Sequence, residues 1–514
     1  MASIFEKKDR NVIPNWRSFI TTIKLGELGF ANLNASKGSE IILSIDDYVY
    51  DWKQNRTVFH AGDLVSAALV NNIKNSDVKD AAKFIIENPH ISSRAQIQIA
   101  EKLLITDSNN DFINNNLFQS NDKHIISIEN IRKKINSLKK LINRFTYNPI
   151  LYVDISRYYS ILGQKDKAIK SMKTALFIAP VNRFVLRSAV RLFAHYDEFD
   201  IAHDLLRKSP LTQFDPWLTS AEIAMATLRQ RSSRFIKKGL EMINSGNFSP
   251  FNITELASSI GTVELNHGNI KNSRKLFKTS LRSPNDNSLA QIEWVSNKNK
   301  LLEIDISSFD VKQNYEALAL YSFYEKKIEN ALNYTYLWSY DMPFSKRPIM
   351  LGSHISTVYF DNHEKAREFL ISGLTSHPGD SQIINNLAYS YALENQTEKA
   401  LFYLEKLSNH QEISKTTEIC LKATRGLIYF RSGFPDIGRK LYLTAIEEAK
   451  STNNSYYNCL AILNYAREEI LLKSEYVESI MEAVKMIPDN TEPEIIKLKN
   501  EVVEKYKILK NSSW

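Results

Sequence analysis

The fold is decided by residues 149–180, which read PILYVDISRYYSILGQKDKAIKSMKTALFIAP. In the first half of this stretch, apolar residues recur three or four positions apart at Tyr152, Ile155 and Tyr159, so they share one face of a helix. A break in the pattern follows at Gly163. The second half carries its own line of small and apolar residues, Ala168, Met172 and Ala175. The stretch therefore predicts two helices joined by a short turn.

The same pattern returns along the chain at a regular period of about 34 residues. Its marker is a small residue early in the second helix of each pair, where two helices can pack closely only if a small side chain meets a large one. The markers are Ala168, Ala202, Ser273, Ala331, Ala366, Ala400 and Gly438. The interval from Ala202 to Ser273 leaves room for one degenerate repeat. A period of this length predicts helix pairs that stack into an array, because a single pair cannot bury its own apolar face.

These residues resemble the tetratricopeptide repeat, a helix–turn–helix unit of about 34 residues. The match is strong over 149–202 and 312–450 and weak over 203–310, with roughly seven units in register. The resemblance implies an all-α superhelix, a tetratricopeptide-like α-solenoid whose first helices line a concave groove. It also implies a role in binding other proteins.

Three regions are predicted along the chain. Residues 1–125 form a less regular, mostly helical region with a possible short strand at 41–45. Residues 126–455 carry the repeat array, which is degenerate over 203–310, and residues 456–514 form C-terminal capping helices. The low content of turn-forming residues, 15 glycines and 14 prolines in 514, argues against an all-β protein with many tight turns.

Composition and motifs also indicate where the protein works. The sequence has no apolar run of the ~18 residues that a membrane span needs, and its N-terminus does not resemble a signal peptide. Two cysteines, Cys420 and Cys459, are too few for a disulfide framework. We therefore expect a cytoplasmic protein without a membrane association. The sequence does not indicate its oligomeric state.

No catalytic motif is found, and we expect no cofactor and no metal ion. Residues 433–440 contain two glycines but lack the Lys–Ser/Thr pair of a phosphate-binding loop. The carboxylates of Asp46, Asp47 and Asp51 could bind Mg²⁺ or could cap a helix, and capping is the favoured interpretation. The prediction is a protein that is not an enzyme, with a small enzymatic domain in residues 1–125 as an open alternative.

Charge is distributed unevenly over the chain. The formal charge is −1 for residues 1–120, +14 for 121–300 and −5 for 301–514. A basic block of this kind suits an acidic protein or a nucleic acid, although it could also be a solvated helix surface. Its candidate partner-binding residues outside the groove are Phe184, Arg229, Arg231, Arg234, Lys237, Lys238, Lys271, Arg274, Lys275 and Lys278.

Three further arginines are candidates for the groove itself. Arg157 and Arg191 are separated by one repeat period and so occupy the same place in consecutive repeats, while Arg187 lies one helical turn before Arg191. The resemblance implies that this face lines the inner groove, where three guanidinium groups could grip one acidic segment. The alternative is that they pair with acids inside the chain, such as Asp154 or Asp197.

The sequence thus predicts a non-catalytic scaffold or adaptor that binds a partner protein or an acidic peptide, as a subunit of a multiprotein complex. The first alternative is a nucleic-acid-binding protein that uses the basic block of 121–300. The second is an N-terminal enzymatic domain regulated by the repeats.

Overall fold

The computed structural model describes residues 10–18, 45–70, 73, 75–92, 94–105, 128–299, 302, 304–407, 413–489 and 491–512. These residues fall into two compact units, one formed by 10–17 with 128–512 and the other by 18 with 45–105. The described secondary structure is helical throughout, which confirms the predicted all-α class.

The smaller unit consists of four helices around a core of its own, which includes Trp52, Leu64 and Ile85. The helices are α1 (Ile45–Gln54), α2 (Val58–Val70), α3 (Ser76–Glu87) and α4 (Arg94–Ile105). Of the possible strand at 41–45, residues 41–44 lie outside the described residues, and Ile45 begins α1. An acidic residue in the first turn, Asp46, is favourable at a helix N-terminus because of the helix dipole.

The larger unit is a succession of helices that pack mainly on their neighbours in sequence. They are α5 (Ile128–Arg144), α6 (Pro149–Ile161), α7 (Lys165–Ile178), α8 (Arg183–His195), α9 (Phe199–Lys208), α10 (Pro216–Leu228), α11 (Ile236–Asn244), α12 (Thr254–Asn266), α13 (Ile270–Ser280), α14 (Asp286–Asn299), α15 (Tyr315–Tyr324), α16 (Ile328–Asp341), α17 (Lys346–His354), α18 (His363–Ser376), α19 (Ser381–Leu393), α20 (Thr397–Leu404), α21 (Lys415–Arg431), α22 (Pro435–Ser451), α23 (Ser455–Leu472), α24 (Val477–Lys485) and α25 (Pro493–Ser512). A π-helical turn, Ile355–Tyr359, extends α17.

Local sequence explains where several first helices of the pairs begin. Asn148, Asn182 and Asp380 precede α6, α8 and α19, and the side chain of each accepts a hydrogen bond from a backbone N–H of the first turn. The turn inside a pair is equally regular, because one residue with positive φ recurs there: Gly163, Asp197, Gln230, Gly268, Lys326, Asp361, Asn395 and Gly433. The repeat is thus a repeat of backbone conformation as well as of packing.

The small marker residues lie where the paired helices approach each other. Ala168 and Ala400 are fully buried, as predicted. The degenerate repeat between Ala202 and Ser273 is also present, as α10 and α11, and Gly239 takes the marker position. A Cβ atom on Gly239 would lie 3.6 Å from Cγ2 of Thr219 on the paired helix α10 and 2.9 Å from Cδ1 of Ile260 on the next helix, α12.

Hydroxyl groups explain why the repeat signature is weak over 203–310. In this part of the array, buried serines and threonines bond one another between helices: Ser220 to Ser259 at 2.8 Å, Ser258 to Ser280 at 2.8 Å and Thr254 to Ser280 at 2.9 Å. Such a network occupies positions where the repeat pattern has large apolar side chains. In addition, α14 stands alone, since only a 3₁₀ turn (Ile306–Ser308) lies between it and α15.

The array also contacts itself between distant repeats. The turn at Gly163 lies against the end of α18, where a Cβ atom would be 2.6 Å from the Thr375 carbonyl oxygen. The rings of His195, at the end of α8, and His377, after α18, are 4.9 Å apart. First helices from both ends of residues 149–380 therefore share one core, which also contains Trp16 from the N-terminal segment.

Candidate functional site

The first candidate site is the inner groove, which we define by the residues that surround the segment Arg10–Arg17. This segment, here called the inner strap, has no helical or strand structure, and its residues alternate between buried and half-buried. It packs with the array and belongs to the larger compact unit. No role for the strap was predicted from the sequence, because a segment of eight residues without helix or strand has too few residues to show a repeat or an amphipathic pattern.

The strap begins at Arg10, which is 7% exposed. Its guanidinium donates to both carboxylate oxygens of Glu316 at 2.9 and 3.1 Å. It also donates to Oε1 of Gln291 at 2.9 Å and to Oδ1 of Asn287 at 3.0 Å. Burial alone would raise the pKa of Glu316, but the positive charges of Arg10 and Arg347 outweigh it and hold that pKa at about 2.

The strap ends at Arg17, which lies between two carboxylates. Its Nε and Nη2 donate to Asp341 at 2.8 and 2.6 Å, and Nη2 also donates to Asp286 at 2.6 Å. Asn15 shares the Asp286 carboxylate through its Nδ2, at 2.6 Å. Burial by itself lowers the pKa of Arg17, but the two carboxylates raise it above its ordinary value, so this guanidinium stays charged.

Aromatic rings surround the strap between these two ends. Trp16 is 1% exposed, and its ring centroid lies 5.4 Å from that of Phe344. The Phe344 ring also faces the guanidinium groups of Arg157 and Arg191 at 5.7 and 5.3 Å, and the ring of His195 at 5.7 Å. Such contacts between cations and ring faces are favourable, most of all where water is excluded.

The three predicted groove arginines all have contacts within the chain. Arg157 donates to the backbone carbonyls of Trp16 and Asp341, both at 3.0 Å. Arg187 forms a two-point ion pair with Glu255 at 2.9 and 3.1 Å. Burial lowers the pKa of Arg191 to about 10, and this side chain packs against Phe344.

Because of these contacts, the groove differs from the basic surface that the sequence predicts. The alternative of pairing inside the chain holds for Arg187, although its partner is Glu255 and not Asp154 or Asp197. The part of the groove that contacts the strap presents carboxylates and amides, and these hold arginines. A role of Arg157, Arg187 and Arg191 in binding an acidic segment stays a prediction, and the contacts within the chain compete with it.

The remaining candidate residues divide by exposure. Phe184 is half-buried and packs against the main core, and Arg229 is held by Asp200, by Asp204 and by Nδ1 of His203. Exposed candidates on or near α11 also have partners: Lys238 pairs with Glu241, and Arg234 donates to the backbone carbonyl of Arg207. The exposed candidates are Arg231, Arg234, Lys237, Lys238, Lys271, Arg274, Lys275 and Lys278.

The second candidate site is the outer ridge, which we define as the exposed cations of α13 and the residue after its C-cap: Lys271, Arg274, Lys275, Lys278 and Arg282. Positions three and four apart lie on one helix face, so the five charges form a single line. Together with Thr279 they border one shallow depression of the surface. No side chain of this ridge pairs with an acid among the described residues of the chain. The opposite face, with Ser273 and Phe277, is buried against α12.

Neither site shows an arrangement for chemistry. Within the described ranges, no three histidine, cysteine, aspartate or glutamate side chains cluster as a metal ion would require. Cys420 and Cys459 are buried free thiols. Among the helices described, none has the length and apolarity to cross a membrane.

Comparison with protein families identifies the first unit of the array. Residues 150–182 match the family described as tetratricopeptide repeat, so the resemblance seen in the sequence is confirmed there. Repeats of this kind serve protein–protein interaction, which makes an interaction scaffold the general expectation for the array. A comparison with curated proteins finds no match.

Two solved structures are similar to the chain over most of its length. The first is described as Naa15/Naa10 bound to HypK-THB, with 13% identity over 90% of this chain and 77% of that chain and a TM-score of 0.25. The second is a circular tandem repeat protein with novel repeat topology and enhanced subunit contact surfaces, with 12% identity over 91% of this chain and 90% of that chain and a TM-score of 0.13. At these TM-scores, neither similarity bears on function.

Proposed function

We propose that the protein is a non-catalytic interaction scaffold that binds an acidic segment of a partner protein on the outer ridge. The observation that carries this proposal is the line of five exposed cations, four on α13 and Arg282 just after it, none of which pairs with an acid in the described part of the chain. Like charges at i,i+3 and i,i+4 repel one another, so such a line is unfavourable in the free protein. A partner with carboxylates along one face would remove that repulsion.

A helix ridge of lysine and arginine favours an acidic protein segment over a small ligand. The depression that it borders is shallow and open, whereas pockets for small molecules are concave and mostly apolar. Charged groups on an exposed surface act mainly on the rate of association and on the choice of partner. Binding at the ridge is therefore expected to weaken steeply with added salt.

The test compares two variants of the full chain with equal changes of net charge. In the ridge variant, Lys271, Arg274, Lys275 and Lys278 are replaced by Gln. In the control variant, the exposed residues Lys473, Lys485, Lys505 and Lys507 are replaced by Gln. Fluorescence anisotropy would measure binding of a labelled Glu-rich 12-residue peptide and of a single-stranded RNA 12-mer at two salt concentrations.

The proposal predicts that the ridge variant loses about tenfold or more in affinity for the acidic peptide and has a weaker salt dependence, while the control keeps both. Equal losses in the two variants would show a nonspecific effect of net charge and would contradict the proposal. Ridge-dependent binding of the RNA with no binding of the peptide would also contradict it, in favour of the nucleic-acid alternative.

A further inference from the structure

The inner groove recognises the backbone of the strap at regular intervals. Gln291 Nε2 donates to the carbonyl oxygen of Arg10 at 2.8 Å, Asn287 Nδ2 to that of Ile13 at 3.0 Å, and Arg157 Nε to that of Trp16 at 3.0 Å. The three carbonyls are spaced three residues apart. These contacts are made to backbone carbonyls and require no particular side chain, as in sites that bind linear peptides.

Side-chain contacts add selectivity at both ends of the strap. The first subsite holds one guanidinium between the Glu316 carboxylate and two amide oxygens. The last subsite holds a second guanidinium between Asp341 and Asp286. A planar guanidinium forms such paired hydrogen bonds with a carboxylate, and a lysine ammonium does not. The groove therefore selects arginine at two positions seven residues apart.

The fit is poorer around Phe344, beside Trp16. Three buried nitrogens near this ring have no hydrogen-bond partner among the described residues: Nε1 of Trp16, Nε of Arg191 and Nε2 of His195. Buried polar groups in folded proteins are nearly always paired, so their number here identifies a region that the strap does not satisfy. The strap is thus held tightly through its two guanidiniums, while polar atoms beside Trp16 stay unpaired in the described chain.

We infer that the inner groove is a receptor for an extended peptide with the pattern Arg, five residues, Trp–Arg, and that residues 10–17 are its resident ligand. A partner protein that presents a segment of this pattern competes with the strap for the groove. The inference is independent of the outer ridge, because it concerns a basic peptide bound by carboxylates and not an acidic one bound by cations.

Apart from Trp16, which lies in the shared core, the strap is attached as a bound peptide would be. It meets helices that are distant in sequence, namely α6, α14, α15 and α16, through side-chain hydrogen bonds. No backbone–backbone hydrogen bond joins it to any described helix, and the one within it links the Ile13 N–H to the Asn11 carbonyl. Its attachment therefore depends on side chains, which a competing peptide can replace one for one.

The test uses the full chain and a labelled peptide with the sequence of residues 7–20, KKDRNVIPNWRSFI. In the parent, the strap competes at a high effective concentration, so the peptide binds weakly. In the variant Arg10→Gln with Arg17→Gln, the groove keeps its carboxylates while the strap loses both guanidiniums. We expect the peptide to bind this variant about tenfold or more tightly than the parent.

Three controls test specificity in the Arg10→Gln/Arg17→Gln background. A peptide with both arginines replaced by Gln should not bind, and adding Asp341→Asn to the chain should remove binding of the original peptide. Adding the four Gln substitutions of the outer ridge should leave the binding of the original peptide unchanged. This last result separates a failure of the inner groove from a failure of the proposed ridge.

Two outcomes would overturn the inference. The first is a folded variant that binds the original peptide no more tightly than the parent does, or that binds the arginine-free peptide equally well. The second is a variant that loses helical circular dichroism which the added peptide does not restore, because the strap would then be part of the core. The milder variant Arg17→Lys keeps the charge but loses the paired hydrogen bonds, and it too must bind the peptide more tightly than the parent.

Discussion

The inner groove and the outer ridge both contain arginine, but they use it in opposite ways. In the groove, Arg10 and Arg17 are enclosed by carboxylates and amides. On the ridge, Arg274 on α13 and Arg282 just after it are exposed, without an acidic partner in the described chain. The same residue type thus stabilises one region and leaves the other available for a partner.

The physical reason for the difference is burial. A charge that is removed from water needs a partner of opposite sign, since the cost of losing hydration is otherwise too large. A charge on an exposed helix face keeps its water and needs no such partner. The positive charge of the basic block therefore does not by itself identify a binding surface, because part of it is neutralised inside the molecule.

The largest expected effect is a difference in the free energy of unfolding between a substitution in the groove and one on the ridge. Replacing Arg17 with Met leaves the partly buried Asp286 and Asp341 without their cation, and we expect the free energy of unfolding to fall by about 2–3 kcal/mol. Replacing the exposed Lys271 with Met should change it by less than about 0.5 kcal/mol. Urea denaturation followed by circular dichroism would measure both, and equal values would remove the distinction drawn here.

An intermediate effect on the free energy of unfolding is expected when the pH is lowered, through His377. Burial lowers the pKa of His377 to about 4, with Lys346 and Arg191 opposing its protonation and Asp380 favouring it. The unfolded chain takes up this proton below about pH 6.5, so stability is complete above that pH and falls toward pH 4. At pH 5 the expected loss is about 2 kcal/mol for this group.

The urea midpoint of the parent should be lower at pH 5 than at pH 7. The variant His377→Asn should remove the part of this decrease that is caused by protonation of His377. The exposed His267, at the end of α12, is the matched control, and His267→Asn should leave the difference unchanged. A parent-like pH dependence in the His377 variant would show that the histidine contact between distant repeats is not what titrates.

The smallest expected effect has the opposite sign. Neutralising Lys271, Arg274, Lys275 and Lys278 removes like-charge pairs that each cost about 0.2–0.5 kcal/mol, so the ridge variant should be slightly more stable than the parent. The gain should be visible at low ionic strength and disappear at about 1 M salt, where the screening length is about 3 Å. A loss of stability would mean that the ridge cations make favourable contacts within the chain.

The two regions also differ in how far they could be foreseen. The ridge residues Lys271, Arg274, Lys275 and Lys278 were all candidates in the sequence, as part of the basic block, and the structure shows them exposed on α13. The groove could be only partly predicted. The repeat period correctly placed Arg157 and Arg191 on first helices that share one core, but it gave no sign that Glu316, Asp341 and Asp286 would supply the opposite charge.

The sequence by itself determined the repeat: the all-α class, the two helices of 149–180, and the buried small residues such as Ala168 and Ala400. These features follow from contacts between near neighbours, which leave a periodic pattern. Only the tertiary structure decided which cations are free, because the strap meets its partners across intervals such as the 306 residues from Arg10 to Glu316. Contacts over such distances have no period, and burial alone determines whether an arginine is a structural ion or an exposed charge.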